Sequence, residues 1–434
     1  MANVDLQRSI DAVWRIEAPR LIAGLTRTVR DVGLAEELAQ DALVAALQQW
    51  PESGVPDNPG AWLMVTAKRR AVDLLRRRAT LERKYEEIAR RLEAEQGRAD
   101  PALEAVDEAV GDEEIGDDLL RLVFISCHPV LTTDARVALT LRLLGGLTTD
   151  EIARAFLVRE STVAQRIVRA KRTLSEARVP FELPSGEARL ERVTSVLEVI
   201  YLIYNEGYAA TAGDDWMRPE LCEDALRLGR ILAELLPDEA EVHGLVALME
   251  IQASRVRARI GPAGEPVLLL DQDRARWDHV LIRHGLAALA RAEALDRGLG
   301  PYGLQAAIAA CHARAHTAEQ TDWVRIAALY DALSQVAPSP VVELNRAVAV
   351  TMAFGPAAGL EIVEALLADA ALANYHLLPS VRGDFLAKLG RVDEARGEFE
   401  RAAALTRNLR ERDLLLARAD ALGISSGGLP GRPG

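Results

Sequence analysis

Residues that favour helices dominate this chain, and residues that strands prefer are scarce. Alanine, leucine, glutamate and arginine are the most prominent residue types, whereas aromatic residues make up only 4% of the 434 positions. Straight side chains lose little rotamer freedom in a helix, while strands favour β-branched and aromatic residues. Clusters of proline and glycine punctuate the helical pattern. The sequence therefore predicts an all-α protein and argues against a β-sandwich or a β-barrel.

Charge is distributed unevenly, and this divides the chain into segments. The whole chain carries −13, but residues 1–78 carry +1, residues 79–118 carry −9 and residues 119–178 carry +5. Two near-neutral or basic modules thus flank an acidic linker, and a large acidic module follows. We predict a first helical domain at 9–78, the linker at 79–118, a second helical domain at 119–178, a long helical domain at 187–423 and a flexible tail at 424–434.

Cysteine usage and hydropathy indicate a reducing compartment and no membrane anchor. Cys127, Cys222 and Cys311 are too few and too far apart for a disulfide framework or a zinc site. The N-terminus lacks the apolar core of a signal peptide, and the apolar stretches fall far short of the ~20 residues that span a bilayer. We therefore expect a cytoplasmic protein.

The helix predicted after Pro59 has two opposed faces. At about 100° per residue, one side is apolar and the other carries aromatic, hydroxyl and charged groups. Such a polar face suits phosphate contact and base stacking, but a solvated face with Trp62 packed on a neighbour fits the periodicity equally well. The apolar side comprises Leu63, Ala67, Ala71, Leu74 and Leu75, and the other side comprises Trp62, Thr66, Arg69, Asp73 and Arg76.

The segment before it is predicted to be helical, with breaks at Gly33 and at the turn-rich stretch 51–60. One face of the helix between these breaks is apolar. An acidic-polar strip lies on another face, and a strip of this kind is most often solvated surface. The strip comprises Glu36, Glu37, Gln40 and Asp41.

Residues 147–174 have the spacing of a helix-turn-helix. Thr148 or Thr149 is predicted to cap the first helix, and Ser161 or Thr162 is predicted to open the second. Leu157 departs from the pattern, because such turns often carry a glycine with positive φ. A basic recognition helix in a major groove is the expected use, and a plain helical hairpin is the alternative. The shared core is predicted from Ala153, Phe156, Val158, Val163 and Ile167, and the projecting side chains are Gln165, Arg166, Arg169, Lys171 and Arg172.

The order of these motifs resembles an extracytoplasmic-function (ECF) RNA polymerase sigma factor. The blocks AEELAQDALVAALQQW and NPGAWLMVTAKRRAVDLLRRR resemble sigma region two, and residues 119–178 resemble region four. The resemblance implies two small helical sigma domains and a transcription initiation factor that is not an enzyme. It also implies that the acidic linker threads the RNA channel of the polymerase.

The resemblance further implies a role for each surface. The strip Glu36, Glu37, Gln40 and Asp41 would bind the clamp helices of core RNA polymerase. The −10 element of promoter DNA, with its flipped base, would be contacted by Asn58, Pro59, Trp62, Thr66, Arg69, Arg70, Asp73, Arg76 and Arg77. The −35 element would be read by Ser161, Thr162, Gln165, Arg166, Arg169, Lys171 and Arg172. Other faces of region four would contact the polymerase flap.

The C-terminal module is predicted to consist of degenerate helical hairpins stacked as a solenoid, which offers a concave surface to a peptide or protein. The segments YLIYNEGY, LLLDQDRARWD and AACHARAHTAEQTDW resemble an ECF subfamily whose tetratricopeptide-like (TPR-like) extension regulates activity in cis. Its acidic face is predicted either to mask the basic DNA-binding surface or to be required to hold polymerase or shape the sigma core. Tetratricopeptide spacing is kept by Gly383, Gly390, Ala395, Phe399 and Ala402, and in part by Ala225 and Pro237.

Several residues that could suggest other chemistry fit simpler roles. His312 and His316 beside Cys311 lack a third metal ligand, and Cys127 and His128 are adjacent and point apart in a helix. The carboxylates Glu206, Asp271, Asp273 and Asp278 are of the kind that cap helices and pair with local arginines. We expect no metal, cofactor or catalytic site. Two other functions remain open: a helix-turn-helix regulator with a helical sensor domain, against which the region-two block argues, and a peptide-binding scaffold.

Overall fold

The computed structural model describes residues 2–92, 112–209, 217–262, 265–295 and 298–425, so most of the predicted linker and tail lie outside it. Within these ranges the chain forms α-helices and short 3₁₀ segments but no strand, which confirms the all-α prediction. None of the helices in these ranges is long and apolar enough to cross a bilayer. The chain divides into two compact units, residues 1–199 and 200–434.

Unit 1 contains the helices of the first 199 residues. They are α1 (Ala2–Val29), α2 (Val32–Ser53), α3 (Pro59–Leu92), α4 (Asp112–Ser126), α5 (Thr133–Leu143), α6 (Thr149–Ala155), α7 (Glu160–Glu176) and the first part of α8 (Gly186–Tyr208). The break at 51–60 is confirmed, since α2 ends and α3 begins within it.

The joint between α1 and α2 lies before Gly33, so the predicted break at Gly33 was wrong. Arg30 adopts a φ of 55°, and Asp31 caps α2 by accepting a hydrogen bond from the Leu34 backbone N–H at 2.7 Å. Gly33 falls inside the first turn of α2. A capping carboxylate therefore sets this helix start, rather than the conformational freedom of a glycine.

Helix α1 is the common packing partner in unit 1, because it packs against α2, α3 and α4. Ala35, Ala39 and Ala42 of α2 are fully buried, and such small side chains allow helix axes to approach closely. The carboxylate of Asp118 in α4 is also buried, and it pairs with Arg27 of α1 at 3.3 Å and with Arg121 at 2.6 Å. Helices from the first and second predicted domains thus share one unit.

The helix-turn-helix is formed by α6 and α7. Thr148 caps α6 through a reciprocal capping box: its hydroxyl accepts from the Glu151 N–H, and the Glu151 carboxylate accepts from the Thr148 N–H. This confirms the predicted cap. Helix α7 begins at Glu160 with Arg159 in the cap position, so the predicted opening at Ser161 or Thr162 is one or two residues late. Both residues lie in its first turn.

Unit 2 consists of the second part of α8 and ten further helices among its described residues. They are α9 (Pro219–Leu235), α10 (Ala240–Ala253), α11 (His279–Ala294), α12 (Pro301–Arg314), α13 (Trp323–Val336), α14 (Pro340–Phe354), α15 (Pro356–Leu366), α16 (Leu377–Lys388), α17 (Val392–Leu405) and α18 (Leu409–Ser425). The predicted proline and glycine clusters fall between these helices or in their first turns.

Helix α10 is buried on nearly all sides, since α9, α11 and α12 pack around it. Gly244 of α10 lies against Gly303 of α12, and a Cβ on Gly244 would lie 2.6 Å from the Gly303 backbone nitrogen. Only glycine allows two helices to cross so closely here. This crossing fixes the position of α12, which carries His312.

The predicted hairpin near residue 390 is formed by α16 and α17. Phe385, Ala395, Phe399 and Ala402 are buried, and Gly390 adopts a φ of 75° in the turn. The side chains that carry the tetratricopeptide spacing therefore lie in the core between these helices. The assignment to that repeat family stays a prediction.

Replacing Leu157 by glycine is expected to stabilise unit 1. Leu157 has a φ of 51° and is 56% exposed, so its side chain strains the backbone and contributes little packing. We expect Leu157→Gly to raise the free energy of unfolding by about 1 kcal/mol. Chemical denaturation would measure this. The matched control is Val168→Gly, at an exposed position in the middle of α7. We expect it to lower the free energy of unfolding by about 1 kcal/mol. Equal losses in both variants would contradict the prediction.

Candidate nucleic-acid interface

Helix α3 presents the two faces that its sequence predicts. The Asn58 side chain accepts a hydrogen bond from the Ala61 N–H at 3.0 Å, and Pro59 is the first helical residue. Both features favour a helix start at this point. Leu63, Ala67 and Ala71 are buried and Leu74 and Leu75 are half-buried. On the other faces, Thr66 and Arg70 are half-buried, and Arg69, Asp73, Arg76 and Arg77 are exposed.

Trp62 is held in place by a second tryptophan. Its ring lies edge-on to Trp50, with 5.4 Å between ring centroids and 64° between planes. Trp50 is only 2% exposed, whereas Trp62 is half-buried. Edge-to-face aromatic pairs are favourable at this separation. Trp62 therefore packs on a neighbour and still presents part of its ring beside the polar face of α3.

Two residues of the acidic strip are exposed and two are not. Glu37 and Asp41 face solvent, and Asp41 pairs with Arg70 of α3 at 3.3 Å. Glu36 is only 4% exposed, and Gln40 is half-buried with its amide donating to Glu36 at 2.6 Å. The strip is therefore not simply a solvated surface, because Glu36 is directed into the protein.

Glu36 receives two cations from helices of the second domain. The Nε of Arg142 in α5 donates to Glu36 Oε1 at 2.7 Å, and the Lys171 ammonium of α7 pairs with Oε2. Arg142 also donates to the carbonyl of Leu147 at 3.1 Å, which ties it to the turn before α6. A buried carboxylate with several charge-assisted hydrogen bonds holds its partners in one geometry.

Helix α7 has a buried apolar face and a polar face, as predicted. Val163, Ile167, Ala170 and Leu174 are buried. Three of its cations form ion pairs within the chain: Arg166 with Asp134 at 2.7 Å, Arg172 with Glu176 at 2.6 Å, and Lys171 with Glu36. The other predicted side chains have no ion pair within the described part of the chain. They are Ser161, Gln165 and Arg169, which are exposed, and Thr162, which is half-buried.

Sequence reasoning missed the residues that join α1 and α5 to these surfaces. Arg15 of α1 donates to Glu151 at 2.9 Å. Burial acts to raise the pKa of Glu151, but hydrogen bonds from Thr148 and the charge of Arg15 hold it below its ordinary value. Asp134 and Arg142 were missed as well. No local signal identifies Arg15, Asp134 or Arg142, because each pairs with a residue on another helix.

The cysteine and histidine pairs do not converge on a site. The Cys127 thiol lies 3.3 Å from the Thr140 hydroxyl, whereas the His128 ring accepts from the Val130 N–H at 3.0 Å. Burial raises the pKa of Cys127 to about 11, so its thiol is protonated at neutral pH. His316 is exposed beyond the end of α12, while His312 is buried. No three metal-ligating side chains cluster within the described ranges.

Comparison with known proteins identifies both helical domains. Residues 14–80 match Sigma-70 region 2, and residues 121–174 match Sigma-70 region 4. The ECF RNA polymerase sigma factor SigK of Mycobacterium ulcerans is 30% identical over 36% of this chain and 78% of its own length. The chain belongs to the ECF RNA polymerase sigma factors. As an alternative sigma factor it acts in transcription initiation, through core RNA polymerase and promoter DNA.

Two further relatives cover different parts of this sigma factor. The probable ECF RNA polymerase sigma factor SigI of Mycobacterium tuberculosis is 28% identical over 42% of this chain and 59% of its own length. An uncharacterized protein of Rhizobium meliloti is 42% identical over 95% of this chain and 96% of its own length. Residues 192–293 match a family of unknown function. The helical extension is therefore shared with a full-length relative.

Removing the charge of Glu36 is expected to destabilise unit 1. In Glu36→Gln, Arg142 and Lys171 lose the carboxylate that compensates them, and breaking a buried ion pair costs about 3 kcal/mol. Chemical denaturation of the sigma factor would measure the loss. The matched control is Glu37→Gln, one residue away and exposed, for which we expect a change within about 0.5 kcal/mol. Similar values for the two variants would show that the Glu36 network does not hold these helices together.

Proposed function

We propose that this sigma factor divides promoter recognition between α3 and α7. The polar face of α3 contacts the −10 element, and the projecting side chains of α7 read the −35 element. The observation that carries this proposal is the exposure of polar and basic side chains on both helices, each backed by a buried apolar face. Basic groups supply phosphate contacts, and Gln165 with Arg169 supplies donors and acceptors for base edges.

The same proposal assigns the remaining segments. The strip at Glu36, Glu37, Gln40 and Asp41 binds the clamp helices, and region four also contacts the flap. The region-two domain spans 9–78 and the region-four domain spans 119–178, and the acidic linker 79–118 between them lies in the RNA channel. A TPR-like domain at 187–423 and the tail at 424–434 follow. The sigma factor has no catalytic chemistry of its own and works in the cytoplasm, where core polymerase and promoters are found.

The Glu36 contact bears on polymerase binding. Glu36 belongs to the proposed clamp-binding strip and Lys171 to the proposed −35 helix, and these two side chains pair with each other. Neither can then offer its full charge to polymerase or DNA. We therefore infer that this contact opens when the sigma factor engages core polymerase, at the cost of the ion pairs that Glu36 makes.

Changing the −35 side chains is expected to abolish promoter selection without loss of core binding. In Gln165→Ala with Arg169→Ala, the contacts to base edges and phosphate are lost, so run-off transcription should fall about tenfold or more. Run-off assays would use promoters of the genes that the protein induces, and co-purification would confirm core binding. The matched control is Arg325→Ala, an exposed arginine of α13, which should transcribe normally. Normal transcription by the double variant would remove α7 from the proposed interface.

The point of truncation is expected to decide whether unit 1 stays folded. Ser195 of α8 donates to the Cys127 carbonyl at 2.6 Å, and Arg136 donates to Ser195 at 2.5 Å. The fragment 1–186 lacks these bonds and the buried face of α8, whereas 1–199 keeps both. We therefore expect 1–186 to unfold at least several degrees lower in a thermal melt. Equal melting temperatures would contradict this role of α8.

The 1–199 fragment also distinguishes the two predicted roles of the C-terminal domain. Its run-off transcription is compared with that of the full chain at equal concentration. A higher yield from 1–199 supports masking of the DNA-binding surface by the extension. A lower yield, with 1–199 shown to be folded, supports a positive role of the extension in holding polymerase or shaping the sigma core.

A further inference from the structure

Unit 2 contains a cluster of arginine and aromatic side chains that promoter recognition does not use, in which Arg255, Trp277 and His312 are buried and Arg274 is half-buried. Arg255 follows α10, Arg274 and Trp277 belong to the segment DQDRARWD, and His312 lies in α12. The guanidinium of Arg274 lies over the Trp277 ring at 5.0 Å from its centroid, and that of Arg255 lies over the same ring at 5.8 Å. Two guanidinium groups therefore lie over the same indole ring.

Arg255 is buried without a compensating group. It is only 7% exposed, and among the described residues its guanidinium forms neither a hydrogen bond nor an ion pair. Its Nε is fully buried with no acceptor. A buried charge is strongly unfavourable unless it is paired and hydrogen-bonded. Contact with the Trp277 ring offsets only part of that cost.

Arg274 increases the positive charge at this place rather than neutralising it. Its Nη1 donates to the carbonyls of His312 and Ala315, both at 2.7 Å, and its Nη2 donates to the Thr321 hydroxyl at 3.0 Å. All these acceptors are neutral. The carboxylate of exposed Glu319 acts on Arg274 through its charge, but it forms no ion pair with Arg274. Two cations thus share one aromatic ring with no carboxylate bound to either of them.

Other polar groups of the cluster also lack partners. The indole Nε1–H of Trp277 is buried, with the residue 4% exposed, and donates to no described atom. The Nδ1 of His312 is buried and unpartnered as well. Burial lowers the pKa of His312 to about 3, and the charges of Arg255 and Arg274 act in the same direction. His312 is therefore neutral and faces both guanidinium groups.

A purely structural role explains this arrangement poorly. Aliphatic side chains of similar volume would fill the same space without the cost of burying an uncompensated charge. The free donors are a guanidinium fork and an indole N–H, and a second guanidinium lies beside them. Proteins bind carboxylates and phosphates through donors of this kind. The cluster therefore supplies the donors that an anion site needs.

We propose that unit 2 binds a small oxyanion, with a carboxylate or phosphate group seated on Arg255 and the Trp277 indole N–H and with Arg274 beside it. The C-terminal domain of this sigma factor then acts as the receptor of an anionic small molecule. The proposal concerns unit 2 alone and does not depend on the assignment of promoter contacts in unit 1.

Calorimetric titration of the full-length protein with inorganic phosphate, and separately with succinate, tests the proposal. Each titration is run against sodium chloride at equal ionic strength. We expect saturable binding of at least one anion, and a rise in melting temperature of about 5 °C at a hundredfold excess over Kd. Phosphate binding alone indicates a phosphorylated ligand, and succinate binding alone indicates a carboxylate ligand. Absence of saturable binding by both anions overturns the proposal.

Variants assign any binding to this cluster. Arg255→Gln leaves a shorter polar side chain without the charge, so binding should be lost. The matched control is Arg291→Gln, an exposed arginine of α11, which should bind like the unmodified protein. If Arg255→Gln does not fold, Trp277→Phe removes the indole N–H while keeping an aromatic ring, and should weaken binding about tenfold. Unchanged binding in Trp277→Phe, or equal binding in both arginine variants, overturns the proposal.

Discussion

The buried carboxylate of Glu36 is the interaction on which unit 1 depends. It is the point where α2 meets α5 and α7, and its charge compensates Arg142 and Lys171. Apolar contacts of α1 with α2, α3 and α4 bring the two sigma domains together, but apolar packing is not directional. Ion pairs have a defined geometry, so they also fix how the helices are oriented. Glu36 therefore fixes the orientation of α7 relative to α2 at the point where they meet.

The faces of the helices could be predicted from sequence because burial follows helical periodicity. Leu63, Ala67 and Ala71 repeat every four residues and are all buried, while Arg69 and Asp73 on the other side are exposed. The Thr148 capping box was also predictable, since a cap is a local interaction over three residues. Predictions that depend on neighbours along the chain therefore succeeded for both proposed DNA-binding helices.

Pairing between distant residues could not be predicted from the sequence. Glu36 looked like one member of a solvated strip, because nothing near it indicates that Arg142, 106 residues later, points towards it. The α1–α2 joint was misplaced at Gly33 for a different reason: the sequence offers both Asp31 and Gly33 as signals for the end of a helix, and the glycine was chosen although Asp31 forms the cap. In the Arg255 cluster, Arg274 and His312 follow Arg255 by 19 and 57 residues. Helical periodicity describes each helix separately, so it cannot show that these residues meet.

The two units compensate buried charge in different ways, and this difference carries a functional consequence. In unit 1, Glu36 and Asp118 are buried with two arginine or lysine partners each from the same chain, so neither carboxylate is left uncompensated. In unit 2, Arg255 and Arg274 share an indole and neutral acceptors but no bound carboxylate. Unit 1 is therefore complete as a folded body, and the proposed contacts with polymerase and DNA require it to break ion pairs. Unit 2 instead gains stability from an anion, which makes its folded state responsive to the concentration of that anion.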